Sequence, residues 1–246
     1  MIKVATYNIK NKTASKILRL KPTQLERFRQ NVELIVKADP DIIGLQEVTK
    51  EEYEWLEEMF GKKYKIYGDF RRSIGITNEA CPIMVKEASG YVTNYGTFSI
   101  SDDIYKIGKK YPGAFFPRIS TFVNFIDDFD EYFVMNMHVD NSKLIQGKTF
   151  KENGAIEKIM GMACSSNKVI IGDMNTEVNG PLKDFCDRNF FSDAALDLGK
   201  TYKPLNMALD HILYDDDELN AYDAKALSND GSDHSLIMAK IEPKGR

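Results

Sequence analysis

Short apolar runs that stop abruptly on a carboxylate, a carboxamide or an imidazole recur along this chain, and they limit its fold more than any other feature. VIIGDMN, Val169 to Asn175, is the sharpest case: three branched aliphatic residues run directly into Gly172, Asp173, Met174 and Asn175. Branched residues favour extended backbone, and so short an apolar run ending at glycine reads as a strand buried on both faces. If the extended backbone continued, its period of two would point Asp173 and Asn175 to one side. Gly, Asp and Asn are equally the residues of a turn, so these seven residues alone leave both readings open.

The pattern repeats. IKVATYNI alternates as a half-buried strand ending at Asn8, DIIGLQEV ends near Glu47, and EYFVMNMHVD ends near His138. DHILY opens with Asp210, and the final strand SLIMAKIE directly follows Asp233 and His234. RISTFVNFID and EYFVMNMHVD form an antiparallel pair turning near Asp128 to Asp130. Between the strands, PTQLERFRQNVELIVKADP places Leu25, Phe28, Val32, Ile35 and Val36 on a helical stripe, and Thr23 with Glu26 forms a capping box at its start. Further helices are expected near Tyr53 to Phe60, from the end of NMHVD to about Ala163, and over Pro181 to Asn189. Many strands with a few helices between them predict an α/β fold of two packed sheets with helices outside. If the later strands run antiparallel to the earlier ones, eight side chains meet at one rim: Asn8, Glu47, His138, Asp173, Asn175, Asp210, Asp233 and His234.

The bulk properties allow this and exclude other classes. A chain of 246 residues without a linker, repeat or low-complexity tract reads as one domain, 1–246, with a large core. Three widely spaced cysteines, Cys81, Cys164 and Cys186, fit neither a disulfide framework nor a thiolate zinc site, and suit a reducing cytoplasm. The alternating N-terminus lacks the pattern of an export signal, and no apolar run is long enough to insert in a membrane. A net charge of −4 argues against a general nucleic-acid coat. Locally, however, Lys10 to Arg29 carries seven Lys/Arg against one acid, and Lys106, Lys109, Lys110 and Arg118 mark a second basic segment.

The rim residues are chemically suited to one another. A hard cation such as Mg2+ takes one or two carboxylates, tolerates amide oxygen and keeps several waters. Glu47 ends an apolar strand, with Asn8 and Asp233 expected beside it. A carboxylate buried without a cation or donor would be costly, and a single metal would answer this need for all three. His138 and His234 stand among polar groups at the rim, whereas His211, next to Asp210 in a strand, faces the other way and is read as structural.

TYNIK, GLQEV, PRIS, NMHVD, GDMN, DHIL and SDHS, in this order over essentially the whole chain, resemble the endonuclease/exonuclease/phosphatase superfamily. This is the DNase I-like fold of magnesium-dependent phosphoesterases, and the chain is most similar to its compact bacterial members. The resemblance implies a four-layered α/β sandwich with two mostly antiparallel β-sheets flanked by helices. It implies Glu47 as main metal ligand with Asn8 beside it and Asp233 supporting a metal position, for Mg2+ with Mn2+ as a substitute. Asp173 and Asn175 resemble the pair that orients the attacking water and contacts the phosphoryl group. Asp210 resembles the carboxylate that holds His234, and His138 the second phosphate-contacting histidine, with Glu79 as its partner. Arg118 resembles the phosphate-binding arginine. Either Asp173 or the Asp210–His234 pair would take the water's proton.

One departure is Lys10, where abasic-site endonucleases of the superfamily carry aspartate; its charge would repel a second cation and points to a single metal. The implied activity is metal-assisted in-line water attack on a phosphodiester, in a nucleic acid or nucleotide-type ester, by a monomer. A phosphomonoesterase or a lipid or inositol phosphate hydrolase on the same fold is the alternative, and a metal-free phosphate-binding module the alternative of another class. Phe115 and Phe116 stand ready either to stack on a base or to pack beneath their loop.

Overall fold

The computed structural model describes residues 1–10, 23–74 and 77–245. Twelve strands form two six-stranded sheets. The first has the order β11-β12-β1-β2-β4-β3, from Leu219–Leu227 (β11), Leu236–Pro243 (β12), Ile2–Asn8 (β1), Ile42–Gln46 (β2), Ile83–Lys86 (β4) and Tyr64–Tyr67 (β3). The second has the order β5-β6-β7-β8-β10-β9, from Tyr91–Ser99 (β5), Ile119–Ile126 (β6), Glu131–His138 (β7), Lys168–Asp173 (β8), Asp210–Asp215 (β10) and Phe191–Asp193 (β9). Each sheet is antiparallel except for one pair, β1 with β2 and β7 with β8. A helical crossover spans both exceptions, as parallel neighbours require.

Among the described residues, five α-helices cover the outer faces. Gln24–Ala38 (α1) and Lys50–Phe60 (α2) pack on the first sheet through Phe28, Val32, Ile35, Leu56 and Phe60. Lys143–Thr149 (α3), Ala155–Met160 (α4) and Gly180–Asn189 (α5) cover the second through Ile145, Ile156, Leu182 and Phe185. Between the sheets lies a third cluster that includes Ile2, Val4, Ile42, Val134, Val169, Ile171, Ile212 and Ile237. The molecule is therefore the four-layered α/β sandwich expected of a DNase I-like fold. Among the described residues no helix is long and apolar enough to cross a membrane. All three cysteines are free thiols.

Several local expectations change. Thr23 and Glu26 do form a capping box, but Leu25 and Val36 are exposed, while Arg27 and Asn31 join the buried face of α1. Asn31 is accommodated because its Oδ1 accepts the Tyr7 hydroxyl at 2.6 Å and its Nδ2 donates to the Ile9 carbonyl. The helix expected to run to about Ala163 is two short ones, α3 and α4.

The inner interface changes character along its length, and this builds the site. In β1, Ile2 and Val4 face the opposing sheet, followed by Thr6 and then Asn8. In β8, Val169 and Ile171 are followed by Asp173; in β7, Tyr132 and Val134 are followed by Asn136 and His138. The apolar filling thus gives way to a buried amide layer: Gln46 Nε2 donates to Asn136 Oδ1 at 2.6 Å and Thr6 Oγ1 at 2.8 Å, and Asn136 Nδ2 donates to the Leu45 and Pro82 carbonyls. Gly44 makes this close approach possible, since a Cβ there would lie 2.5 Å from Asn136 Cγ and 2.8 Å from Ile171 Cδ1. The residues next along each strand emerge at the rim.

Candidate active site

Strand direction gathers the rim. His138 and Asp173 are register partners across the parallel β7–β8 pair, and Asp210 opposes Asp173 across the antiparallel β10–β8 pair. Asn8 ends β1 and Glu47 follows β2, while Asp233 and His234 precede β12, which runs antiparallel to β1. Six of the eight residues expected at one rim line a cleft of about 810 Å3, and Asn8 and Asp210 stand behind them, hydrogen-bonded to Asp173 and His234.

The opening ambiguity of VIIGDMN resolves into both readings at once. Asp173 ends the strand, and the chain then turns: Asn175 has φ of 52°, its N–H donates to Asp173 Oδ1 at 2.9 Å, and its Nδ2 donates to the Val139 carbonyl at 3.0 Å. The backbone is not extended here, so the two side chains meet through a turn.

Asn8 joins the sheets. Its Nδ2 donates to Asp173 Oδ2 at 2.9 Å and to Glu47 Oε1 at 3.1 Å, while its Oδ1 accepts the Lys10 N–H at 3.0 Å. This revises the part expected of Asn8. It presents nitrogen, not oxygen, to the carboxylates, so it orients Glu47, the carboxylate expected to hold the metal, through a hydrogen bond. Glu47 itself sits at φ of 60°, a conformation disfavoured for a residue with a side chain and found where a site imposes it.

The two histidines are held in opposite charge states. Burial lowers the His138 pKa well below its usual value, and the positive charges of Arg118, Arg71 and His234 lower it further, so His138 is neutral. Arg118 Nη1 lies 3.0 Å from its Nδ1 and 3.2 Å from its Nε2, and the Asp173 carboxylate is 3.6 Å from Nε2. For His234, burial acts downward but is outweighed by the Asp210 hydrogen bond and charge, then by Asp173 and Glu47, and its pKa rises to about 9. Its Nδ1 donates to Asp210 Oδ2 at 2.9 Å, and the Tyr202 ring packs on it with centroids 4.7 Å apart. Asp173 lies 3.7 Å from His234 Nε2. Burial raises the Asp173 carboxyl to about 6, with the His234 charge opposing and the Asp210 charge adding.

Two arginines line the cleft beside His138. Arg118 is one, and its Nε is buried without an acceptor among the described residues. Arg71 is the other, and sequence reasoning missed it. It is buried, donates from Nε to the Thr77 carbonyl at 2.6 Å, pairs with Glu79 at 3.1 Å and lies 5.2 Å from the centre of the Phe116 ring. Glu79, expected to partner His138, is therefore engaged by Arg71. Only two adjacent arginines after an aromatic residue, FRR, marked the position, and no periodicity singled it out.

Glu47 and Asp233, the carboxylates expected to hold a cation, both line the cleft. Asp233 Oδ2 is taken by the Lys10 ammonium, while Oδ1 is buried without a hydrogen-bond donor among the described residues. An oxygen in that state is open to a hard cation. The side-chain ligand atoms of Asp173, Asp210 and His234 also converge within 4.8 Å. Within that group His234 is hydrogen-bonded to Asp210, and Asp173 is bonded to Asn8 and lies 3.7 Å from His234 Nε2.

The basic segments divide. Lys10 lines the cleft, and Lys12, Lys16, Arg19 and Lys21 lie outside the described residues. Lys109 pairs with Asp102 at 3.1 Å and Lys110 donates to the Phe115 carbonyl at 3.0 Å, so the second segment braces its own loop and delivers Phe116 and Arg118 to the cleft. Phe115 is exposed.

A model of the Endonuclease/Exonuclease/phosphatase family matches residues 5–234. No curated protein shows a match. Among solved structures, the chain is similar to an endonuclease/exonuclease/phosphatase from Bacteroides vulgatus, with TM-score 0.86, 19% identity and 99% of each chain covered. It is similar to the mannosyl-6-phosphatase Bt3783 of Bacteroides thetaiotaomicron, with TM-score 0.82, 19% identity and coverage of 98% of this chain and 100% of that one. It also resembles D. rerio TDP2 complexed with single-strand DNA product, with TM-score 0.76, 12% identity and 98% of each chain covered. At these identities the likeness is one of fold.

Proposed function

The chain belongs to the endonuclease/exonuclease/phosphatase family, and from that premise we propose that it is a divalent-metal-dependent phosphoesterase that hydrolyses a phosphodiester of nucleotide type by in-line attack of water. The observation that carries the reading is the pairing of Asp173, a carboxyl raised to about 6, with His234, an imidazole raised to about 9, only 3.7 Å apart. At neutral pH the first is a competent base and the second a cation, the separation of roles that acid–base chemistry requires.

This favours Asp173 over the Asp210–His234 pair as the group that takes the water's proton, because a histidine already charged cannot accept one. Asp210 keeps His234 protonated and oriented. His234 then stabilises the negative charge that develops on the phosphoryl oxygens. Arg118, Arg71 and the Asn175 carboxamide bind the non-bridging oxygens, and neutral His138, which can donate from only one nitrogen, fixes their orientation. Glu47 and Asp233 would hold the cation, Mg2+ or Mn2+ in its place, which when bound neutralises phosphate charge and polarises the ester.

A second reading, phosphomonoester hydrolysis, is supported by the small number of lysines and arginines among the cleft's described residues, Lys10, Arg71, Arg118 and Lys143, with Lys109 and Lys110 turned to their own loop. The test is turnover of bis(p-nitrophenyl) phosphate and p-nitrophenyl phosphate with Mg2+ and with chelator, followed by a panel of single- and double-stranded DNA, RNA, nucleotides, sugar phosphates and inositol phosphates. Metal-dependent preference for diesters supports the first reading, and exclusive monoester turnover supports the second. Activity on neither, in the presence of Mg2+ or Mn2+, would return the chain to a phosphate-binding role.

A further inference from the structure

His211 lies on the face of β10 opposite Asp210, outside the catalytic rim, yet both its ring nitrogens are committed. Nδ1 is 2.8 Å from Asp193 Oδ2 on β9, and Nε2 is 2.8 Å from the Thr176 carbonyl oxygen. His211 and Asp193 side chains are only 2% and 3% exposed. The other oxygen of Asp193 accepts the Ala195 N–H at 2.9 Å and the Ile212 N–H at 3.2 Å. A backbone carbonyl can only accept. A carboxylate already receiving two N–H groups is held in its charged, accepting form, so both ring nitrogens of His211 donate and the ring is an imidazolium.

Thr176 directly follows Asn175. Asn175 is in the left-handed region, and its carbonyl accepts from Gln146 Nε2 on α3 at 2.9 Å. Gln146 therefore holds the turn from one side and His211 from the other. We propose that His211 is a positioning residue, a buried imidazolium anchored on Asp193 that fixes the Thr176 carbonyl and thereby sets the Asn175 carboxamide in the cleft. The proposal rests on the phosphoesterase reading only in giving that carboxamide a phosphate to contact.

The surrounding charges agree with this state. Burial acts to lower the His211 pKa, but the hydrogen bond and charge of Asp193, the Thr176 carbonyl and the charge of Asp210 outweigh it and hold it above the ordinary value. The ion pair of Lys200 with Glu177, at 3.3 Å, borders the same small cavity and is balanced in charge.

The test uses the full chain. Nitrogen NMR of His211 should show both ring nitrogens protonated at neutral pH, and a singly protonated ring would overturn the proposal. In His211→Phe, hydrogen exchange of amides 174–179 should accelerate at least tenfold. Turnover of the model diester should lose kcat about tenfold or more with a smaller change in KM. The double variant His211→Gln with Asp193→Asn can rebuild both hydrogen bonds without charge, and it should recover much of the exchange protection and of kcat. A His211→Phe protein with native loop exchange, or with native kcat, would overturn the positioning role. Should His211→Phe fail to fold, Asp193→Asn alone replaces it: faster exchange at 174–179 supports the proposal and unchanged exchange overturns it. Because NMR and exchange need no substrate, a chain inactive on every phosphate ester would fail the functional reading while leaving the brace measurable.

Discussion

His138 and His234 share one cleft, but the charges around them differ: Arg118 and Arg71 face the first, Asp210 and Asp173 the second. The sign of the pH response follows. In the proposed mechanism Asp173 acts when deprotonated, so the working form should accumulate as pH rises through about 6 before any cation binds; His234 acts when protonated, so that form should be lost as pH rises through about 9. A divalent cation held by Glu47 and Asp233 would add positive charge and draw both limbs of the pH–kcat profile downward. Asp173→Asn should remove the acid limb and lower kcat by about two to four orders of magnitude, the span of a positioned acid or base. An acid limb that survives the substitution would assign it to another group. Glu47→Gln keeps the size of the side chain and removes its charge, so calorimetry should show Mg2+ binding lost with the circular-dichroism spectrum unchanged; native affinity would remove Glu47 from the metal site. The sequence made the strand-end residues visible because period-two alternation counts off which side chain emerges next. It did not make Arg71 visible, because that residue lies on irregular backbone between β3 and β4, nor the orientation of the Asn8 amide, which depends on the Lys10 N–H.

The strands matter as rulers that deliver side chains to a common height, and Gly44 sets the distance between the two sheets beneath the site. Gly44→Ala would drive a methyl to 2.5 Å from Asn136 Cγ. We expect the overpacking to cost about 1–3 kcal/mol, read as a lower urea midpoint at unchanged m-value. Because Asn136 and Gln46 form the floor under Asn8, Asp173 and His138, kcat should fall as well; a stable, fully active Gly44→Ala protein would show that the amide layer adapts without moving the rim. Sheet content and strand order of the rim were legible because apolar runs ended on polar residues at regular positions. Other elements were not. The stripe of α1 was right at Phe28, Val32 and Ile35 but missed Asn31, because apolarity alone cannot register a buried asparagine whose partner, Tyr7, is contributed by another element. The three-residue strand β9 is too short to show a period, yet it supplies Asp193.

At the scale of the molecule, charge decides which phosphate ester reaches the rim. The chain carries −4 overall, so a polyanion is repelled at long range and attracted at the cleft, where Lys10, Arg71, Arg118 and Lys143 stand among the described residues. The sequence adds Lys12, Lys16 and Arg19 within a stretch that begins two residues after Asn8. If they serve the substrate, their combined replacement by alanine should raise KM for an oligonucleotide and leave a small model diester nearly untouched, since only the longer ligand has phosphates beyond the scissile one. Every phosphate that the variant no longer neutralises should also reduce the magnitude of the log–log salt slope by about 0.7–0.9, the smaller figure applying to single strands. Equal losses on both substrates would mean that the triple variant damages the site itself. An unchanged oligonucleotide KM and salt slope would assign these residues to a solvated face, leave recognition to the cations that line the cleft, and turn the choice of substrate toward a small phosphorylated metabolite.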